Sequence, residues 1–299
     1  MDTPSLAWPV RLLRGGLGLA GRLPLPFLHA AGALLGAVLW LLHARPRQVA
    51  ERNLLLVSTQ DEGKTRHALA RAALIETGKA LAETAKIWGN PPGRALALVQ
   101  ETMGAELLDE ALASGRGVII AAPHLGCWEL LNYWLAARTP LAILYRAPRT
   151  STLEPLLRQV RGALPVEQVR AEGSGVRALY RRLAAGGAIG ILPDQKPRQG
   201  EGVPAPLFGV PASTMVLLPR LAQRTGARVL FAFAERLPRG RGYRIHVLPA
   251  PEGLCDADPV IACTALNRGV EACVQRAFTQ YQWTYKRWPK DAHPPDAGP

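Results

Sequence analysis

A histidine and a glutamate, His124 and Glu129, stand five positions apart in this chain, and together they have the composition of a general base. A carboxylate bonded to one imidazole nitrogen fixes the tautomer and stabilises the imidazolium, which leaves the other nitrogen to take a proton from a hydroxyl. A bare H-x4-E pattern also arises by chance, and a loop histidine near a glutamate is often only a satisfied polar residue. The elements around the pair decide between these interpretations.

Those elements are a strand, a turn and a helix, in that order. Residues 117–122 form a continuous apolar run rich in β-branched side chains, which predicts a strand buried on both faces of a parallel sheet. Gly126 permits a tight turn, and residues 128–137 have the apolar density of a packed helix. His124 is therefore predicted in a loop at the carboxyl end of a strand, where open α/β sheets bind ligands. Glu129 is predicted in the first helical turn, where the helix dipole favours a carboxylate.

Strand and helix patterns alternate along most of the chain, which predicts an α/β fold. Helices are predicted at 61–87, 106–113, 154–161, 175–184 and 260–277, and further strands at 141–145, 188–192, 228–235 and 243–247. A segment rich in proline, arginine and glycine joins the last two strands, so we expect them to form a hairpin that extends the sheet.

The box at 124–129 resembles the H-x4-(D/E) box of bacterial lysophospholipid-type acyltransferases, and more closely the H-x-G-N-W-E box of the lipid A biosynthesis late acyltransferases. Cys127 stands where that box usually has asparagine. Other stretches match the same family in the same order: Arg52-Asn53-Leu54, Tyr145-Arg146, Asp194-Gln195, Pro206-Leu207-Phe208-Gly209 and the aromatic and basic box from Tyr281 to Trp288. The resemblance covers nearly the whole chain, and it departs from the family at Tyr285-Lys286, where His-Arg is common.

The resemblance implies one glycerolipid-acyltransferase-like domain over residues 46–290, with a mixed central sheet flanked by helices. It implies an enzyme that moves a fatty acyl chain from an acyl carrier protein thioester to the hydroxyl of a hydroxyacyl chain on a lipid A precursor. No cofactor and no metal are implied. His124 would be the base and Glu129 its orienting partner.

Two alternatives stay open. One is the same chemistry on another lipid acceptor, such as a lysophospholipid, an ornithine lipid or a glycolipid. The other is a non-catalytic lipid-binding relative, which the departures at Cys127 and Tyr285-Lys286 would suit.

Donors for the developing oxyanion are expected after the strand that follows the box. Arg149 is the leading candidate and Arg146 the second, although either can be a solvated loop arginine. Asp194 and Gln195 follow another predicted strand on the same side. We expect Asp194 to bind the acceptor or to support an arginine, the alternative being a turn-forming aspartate after a proline, and we expect Gln195 to contribute to substrate or oxyanion binding.

The basic residues Lys286 and Arg287 lie among tryptophan and tyrosine side chains near the carboxyl end. Such a segment can bind lipid phosphates while its rings sit at the headgroup level. Single-stranded nucleic acid and a purely structural amphipathic end are the alternatives. A nucleic-acid partner would leave the box at 124–129 and the apolar stretch at residues 23–42 unexplained, so we predict contacts to lipid phosphate.

The composition is that of a globular protein that touches lipid, with 48% hydrophobic and 20% charged residues and a net charge of +13. The charge favours an anionic partner, either nucleic acid, anionic lipid or an acidic carrier protein, although a GC-rich genome would enrich arginine in the same way.

The four cysteines lack the spacing of a zinc site and are expected to be free thiols in a reducing compartment. Cys127 is inside the box and invites a role as nucleophile, but asparagine at that position in the family implies a structural role.

Residues 23–42 form an apolar stretch of twenty residues without charge, flanked by arginines, and this length just reaches a bilayer span. We expect residues 1–45 to anchor the protein to the membrane as a single span or as a hairpin in one leaflet. The catalytic body would then lie on the cytoplasmic face of the bacterial inner membrane, and residues 291–299 would be a disordered tail. The G-x-G-x-x-G match at 16–21 does not follow a strand, so we interpret its glycines as helix-packing positions rather than a nucleotide site.

Overall fold

A mixed sheet of seven strands forms the centre of the computed structural model, which describes residues 8–57, 63–145, 160–162, 164–170 and 173–294. In these ranges the strands are β1 Val99–Met103, β2 Val118–Ala121, β3 Leu141–Tyr145, β4 Val166–Arg170, β5 Ala188–Ile191, β6 Gly202–Leu207, β7 Val210–Met215, β8 Arg228–Arg236 and β9 Tyr243–Pro249. The order across the sheet is β1-β9-β8-β2-β5-β3-β4, and neighbours are parallel except for β8 and β9. Strands β6 and β7 form a separate antiparallel hairpin.

Helices cover both faces of the sheet. In the described ranges they are α1 Trp8–Arg22, α2 Leu25–Leu41, α3 Arg45–Val57, α4 Gly63–Trp88, α5 Pro92–Leu96, α6 Ala105–Ala113, α7 Trp128–Ala136, α8 Gly173–Ala184, α9 Leu217–Thr225 and α10 Pro259–Arg276. The start of α10 illustrates how sequence sets these boundaries. Asp258 caps the helix by accepting the Val260 N–H at 2.7 Å, and Pro259 occupies the first helical position.

Strand β2 lies between two apolar layers, one on each face of the sheet. Ile119 and Ala121 point to the layer formed with α3, α4, α8, α9 and α10, whereas Val118 and Ile120 point to the layer formed with α6 and α7. Both faces of the strand are therefore apolar, as the continuous run predicts. Full burial of each large side chain contributes about 1.5–3 kcal/mol, so β2 is a firm base for the loop that follows it.

The α/β fold with a mixed sheet flanked by helices is confirmed. The hairpin of β8 and β9 and the strands β3 and β5 lie where the sequence predicts them, as do α4, α6, α7, α8 and α10. Most of the predicted helix at 154–161 lies outside the described residues, as do residues 295–299 of the predicted disordered tail.

Helices α1 and α2 pack on α4 at the amino-terminal end. Within the described ranges, no single helix is long and apolar enough to cross a bilayer; α1 and α2 reach that length and composition only as a pair, with a bend of 117° between them. Gly32 of α2 meets Gly78 of α4 so closely that a Cβ on Gly78 would lie 2.0 Å from the Gly32 carbonyl oxygen. Gly21 also packs against α4, whereas a Cβ on Gly16 or Gly18 would meet no described atom within 4 Å outside its own helix backbone, so the helix-packing interpretation fits only Gly21 of these three.

Candidate active site

His124 lies in the loop between β2 and α7, and hydrogen bonds fix the backbone of this loop. The Gln282 N–H donates to the His124 carbonyl at 3.0 Å, and the Cys127 N–H donates to the Ala234 carbonyl at 2.9 Å. Gly126 has a φ of +61°, and a Cβ there would lie 1.9 Å from the Ala234 carbonyl oxygen, so glycine is required. The prediction that places His124 after a strand and before a glycine turn is confirmed.

Asp194 is the partner of the His124 imidazole. Its Oδ1 lies 2.8 Å from Nδ1 of His124, and its Oδ2 accepts the His124 backbone N–H at 2.9 Å. The Asp194 side chain is 2% exposed. Burial alone would raise the pKa of Asp194, but the charge and hydrogen bonds of His124 hold it below its usual value. An ionised Asp194 requires the ring proton on Nδ1, so Nε2 is the nitrogen left with a free lone pair.

Glu129 is bonded to a different side chain, and the structure corrects the predicted contact. The Arg161 guanidinium donates its Nε–H to Oε2 of Glu129 at 3.2 Å and a second N–H to Oε1. Burial lowers the pKa of Arg161, but the Glu129 carboxylate outweighs it and the net shift is upward. Glu129, in the first turn of α7, therefore holds Arg161, while Asp194 takes the place that the sequence analysis gives to Glu129.

Gln195 lies against Nε2 of His124, the imidazole nitrogen that Asp194 does not contact. Its Nε2 is 3.1 Å from Nε2 of His124, and it donates to Oε1 of Gln282 at 3.1 Å. The two consecutive residues therefore contact both ring nitrogens of His124: Asp194 contacts Nδ1 and Gln195 contacts Nε2.

Tyr281 and Arg287, from the carboxyl-terminal box, lie behind Asp194. Burial, followed by the charge of Asp194, to which the hydroxyl is hydrogen-bonded, raises the pKa of Tyr281 well above its usual value. Arg287 is 2% exposed and donates to the Ser213 carbonyl at 2.8 Å and to Thr214 Oγ1 at 3.2 Å. Burial lowers the pKa of Arg287, and the nearby tyrosine and aspartate only partly oppose that shift.

These contacts correct the prediction that Arg287 binds a lipid phosphate at the surface, because its guanidinium is buried under β7. Trp283 and Trp288 are 1% and 4% exposed, so their rings belong to the core and not to a headgroup belt. Lys286 is exposed, and its predicted contact with lipid phosphate stays a prediction.

The Arg52-Asn53 pair of α3 clamps the same box. Asn53 Nδ2 donates to the carbonyls of Trp283 and Tyr285 at 2.8 and 2.7 Å. The Arg52 guanidinium donates to the carbonyl of Lys290 at 2.9 Å. Segments far apart in the sequence therefore form one framework that holds the His124 loop.

A cavity of about 620 Å³ opens beside His124 and Gln195. Its wall combines apolar and charged side chains: it includes Trp128, Ile143, Leu144, Ile191, Leu192, Val216 and Leu217, with the cations Arg161, Lys196, Arg220 and Arg224 and the carboxylate of Glu201. An apolar cavity with a few convergent polar groups is the usual form of a small-molecule site. The size and lining suit a long apolar chain that carries a reactive or anionic end.

Two sequence-based candidates, Arg146 and Arg149, lie outside the described residues, so their predicted oxyanion role stays a prediction. Sequence reasoning misses Arg161, since nothing in its local pattern marks it. Its signal is tertiary: it is the cation bonded to the carboxylate of the H-x4-E box, and it lines the same cavity as His124.

Cys127 is 5% exposed and does not line this cavity. Burial raises the pKa of its thiol well above the usual value, which opposes formation of a thiolate nucleophile. This supports the structural role predicted for Cys127. Across the described ranges, no three His, Cys, Asp or Glu side chains cluster as metal ligands would.

The family described as bacterial lipid A biosynthesis acyltransferase matches residues 6–290. The lipid A biosynthesis lauroyltransferase of Escherichia coli is 28% identical over 285 residues, covering 94% of this chain and 91% of that protein. The lipid A biosynthesis acyltransferase of Haemophilus influenzae is 26% identical over 61% of this chain and 57% of that protein. The phosphatidylinositol mannoside acyltransferase of Mycobacterium tuberculosis is 29% identical over 54% of this chain and 51% of that protein.

Proposed function

Because this chain belongs to the bacterial lipid A biosynthesis acyltransferase family, we propose that it moves a fatty acyl chain from an acyl carrier protein thioester to the hydroxyl of a hydroxyacyl chain on a lipid A precursor. The observation that carries this proposal is the hydrogen bond of Asp194 to Nδ1 of His124, at the edge of an apolar cavity. A buried carboxylate, an imidazole and a position for a hydroxyl thus follow one another in space, which is the arrangement that activates a nucleophile.

In the proposed reaction, the acceptor hydroxyl gives its proton to Nε2 of His124 as its oxygen attacks the thioester carbonyl. Asp194 stabilises the imidazolium that forms, since its carboxylate is already ionised and bonded to Nδ1. The tetrahedral intermediate then expels the thiolate, which takes the proton from the imidazolium. The attacking hydroxyl needs the place beside Nε2 where the Gln195 amide lies, so Gln195 has to move when the acceptor binds.

Arg161 is a described cation of the cavity wall, and in this proposal it opposes the charge of the intermediate or of a lipid phosphate. It lines the cavity with His124, and the two hydrogen bonds that it donates to the Glu129 carboxylate fix the plane of its guanidinium. In this proposal Glu129 acts through Arg161 as a positioning residue. Arg146 and Arg149 remain proposed donors from the segment outside the described residues.

We further propose that α1 and α2 hold the enzyme against the membrane, on the cytoplasmic face of the bacterial inner membrane. Large apolar side chains are exposed along both helices: Trp8, Leu12, Leu13, Leu19, Phe27, Leu34, Leu35, Val38 and Leu41. Many large exposed apolar side chains on neighbouring helices are typical of a membrane or protein contact. A lipid acceptor could then reach the cavity without leaving the bilayer surface.

A second candidate function is the same transfer to another lipid, such as a lysophospholipid, an ornithine lipid or a glycolipid. The similarity to a phosphatidylinositol mannoside acyltransferase favours it, because that relative is named for a different lipid acceptor. A non-catalytic lipid-binding relative is the third, and the bonded His124–Asp194 pair argues against it.

Mass spectrometry separates these candidates. The detergent-purified protein is incubated with an acyl carrier protein thioester and, in parallel, with a Kdo-bearing lipid A precursor, a lysophospholipid, an ornithine lipid precursor or a phosphatidylinositol mannoside. One added acyl mass on the lipid A precursor alone is the expected result. An added mass only on another acceptor would replace the proposed acceptor, and none on any acceptor, with the protein folded, would favour the lipid-binding relative.

A further inference from the structure

Helices α8 and α9 each present two exposed arginines one turn apart. Arg177 and Arg181 lie on α8, and Arg220 and Arg224 on α9. The two helices are in contact, and the Arg224 guanidinium lies 6.0 Å from the centre of the Tyr180 ring on α8. We call these four side chains the arginine face.

The arginine face has no compensating charge on its own helices. Neither α8 nor α9 contains an aspartate or a glutamate. In the part of the chain that the structure describes, none of the four arginines makes an ion pair. Like charges four residues apart destabilise a helix by a few tenths of a kcal/mol. Arg181 and Arg224 lie in the last turns, where the helix dipole favours a cation, but Arg177 and Arg220 lie before those turns, so folding gives no reason for the first arginine of each pair. An anionic partner does give a reason.

The arginine face adjoins the cavity beside His124. Val176 and Tyr180 of α8 and Leu217, Arg220 and Arg224 of α9 all line that cavity. Helix α8 follows β4, which runs parallel to β2, and Leu217, the first residue of α9, lines the cavity with His124, so the positive dipole ends of both helices lie on the His124 side. A partner bound here would be held next to the entrance for an acyl chain.

The face lacks the apolar side chains that a bilayer contact would use. The large exposed hydrophobic residues of the described chain lie mainly on α1 and α2, with others on α3, α4, β1 and α10, and none on α8 or α9. A charged surface without apolar anchors suits electrostatic docking of a water-soluble acidic protein rather than insertion into lipid.

We propose that the arginine face docks the acidic carrier protein that delivers the acyl thioester, with the acyl chain passing into the cavity between α8 and α9. This inference rests on the proposed function, since it names the surface that receives the donor. Its charge complementarity predicts faster association at low ionic strength.

The test compares two donors with the same acyl chain, one on acyl carrier protein and one on pantetheine. The variant is R177E/R181E, whose residues do not line the cavity. The matched control is R94E/R116E, which reverses two exposed arginines outside α8 and α9. We expect R177E/R181E to raise KM for the carrier-protein donor by roughly tenfold or more, because steering by charge changes association rates by orders of magnitude. Turnover from acyl-pantetheine should match that of the parent, and the control should behave as the parent with both donors.

An unchanged KM for the carrier-protein donor in R177E/R181E would overturn the docking proposal. Reduced binding to phosphatidylglycerol vesicles together with an unchanged carrier-protein KM would assign the face to lipid and also overturn it. If charge reversal prevents folding, R177Q/R181Q is measured in its place with the same criteria. If the parent has the same kcat/KM for acyl-pantetheine as for the carrier-protein donor, the docking proposal is contradicted but the proposed function is not. If the parent is inactive with both donors, the proposed function is contradicted.

Discussion

The contact between His124 and Asp194 joins residues 70 positions apart, and strand pairing explains it. Ala121 of β2 pairs with Ile191 of β5, and each of the two polar residues comes three positions after its paired strand residue. Because β2 and β5 are parallel neighbours and the same number of residues follows each of them, the side chains of His124 and Asp194 meet at one edge of the sheet. The sequence predicts both strand ends but not that β2 and β5 are neighbours, and this is why Glu129 is the predicted partner while Asp194 is the observed one.

Replacing Asp194 with asparagine should reduce kcat by about 10²–10⁴-fold, the usual contribution of general acid–base catalysis. The amide cannot stabilise the imidazolium, and it favours the wrong ring tautomer. Single-turnover acyl transfer measures the effect, with D109N, an exposed aspartate on α6, as the matched control. A D194N protein that folds and keeps the parental kcat would show that the contact is structural only.

At the scale of elements, the sequence predicts the central strands β2, β3, β5, β8 and β9, but it misses β4, β6, β7 and the helix α9. Strand β6 contains two prolines, Pro204 and Pro206, which usually argue against a strand. Strand β4 is a short edge strand with charged residues. Phe208 and Gly209 have φ values of +51° and +77°, and they form the turn of the β6–β7 hairpin. The sequence identifies these two residues only through the family resemblance and does not predict a turn there.

The close crossing of α2 and α4 depends on Gly78. A side chain there meets the Gly32 carbonyl oxygen, which belongs to the backbone and cannot move aside alone. We expect G78V to lower the free energy of unfolding by about 1–3 kcal/mol or more, as overpacking does. Denaturant unfolding measures this against G18V, whose Cβ would have no described neighbour within 4 Å. Equal effects of the two substitutions would mean that helix propensity alone, and not the crossing, is being measured.

At the scale of the whole molecule, a buried charge cluster ties the amino-terminal helices to the sheet. Glu83 of α4 bonds to the Arg236 guanidinium of β8 at 2.7 Å and to the His29 imidazole of α2 at 2.8 Å. Glu76 is a second carboxylate on Arg236. Burial alone would raise the pKa of Glu83, but Arg236 and His29 lower it from 4.5 to about 2. No sequence pattern predicts this cluster, because its members come from three separate elements.

The depressed pKa makes Glu83 a source of acid-sensitive stability. A carboxylate whose pKa is lower in the folded state stabilises the protein above pH 4.5, and the contribution is lost as the pH falls from about 4.5 to about 2. We expect E83Q to cost roughly 3–5 kcal/mol at neutral pH, since it breaks a buried pair, and to flatten the pH dependence of stability in that window. Thermal unfolding across pH, with the exposed E106Q as control, measures both effects. A pH profile of E83Q parallel to that of the parent would contradict this assignment.

His124 is the proposed base of the acyl transfer, and the activity of the whole molecule depends on it. The most direct test is mass spectrometry of the acceptor lipid after incubation with an acyl carrier protein thioester and parent, H124A or H67A protein. His67 is a surface histidine, 61% exposed, and serves as the matched control. We predict one added acyl mass with the parent and with H67A, and a loss of at least about 10²-fold in rate with H124A. Parental rates from a folded H124A protein would contradict the account.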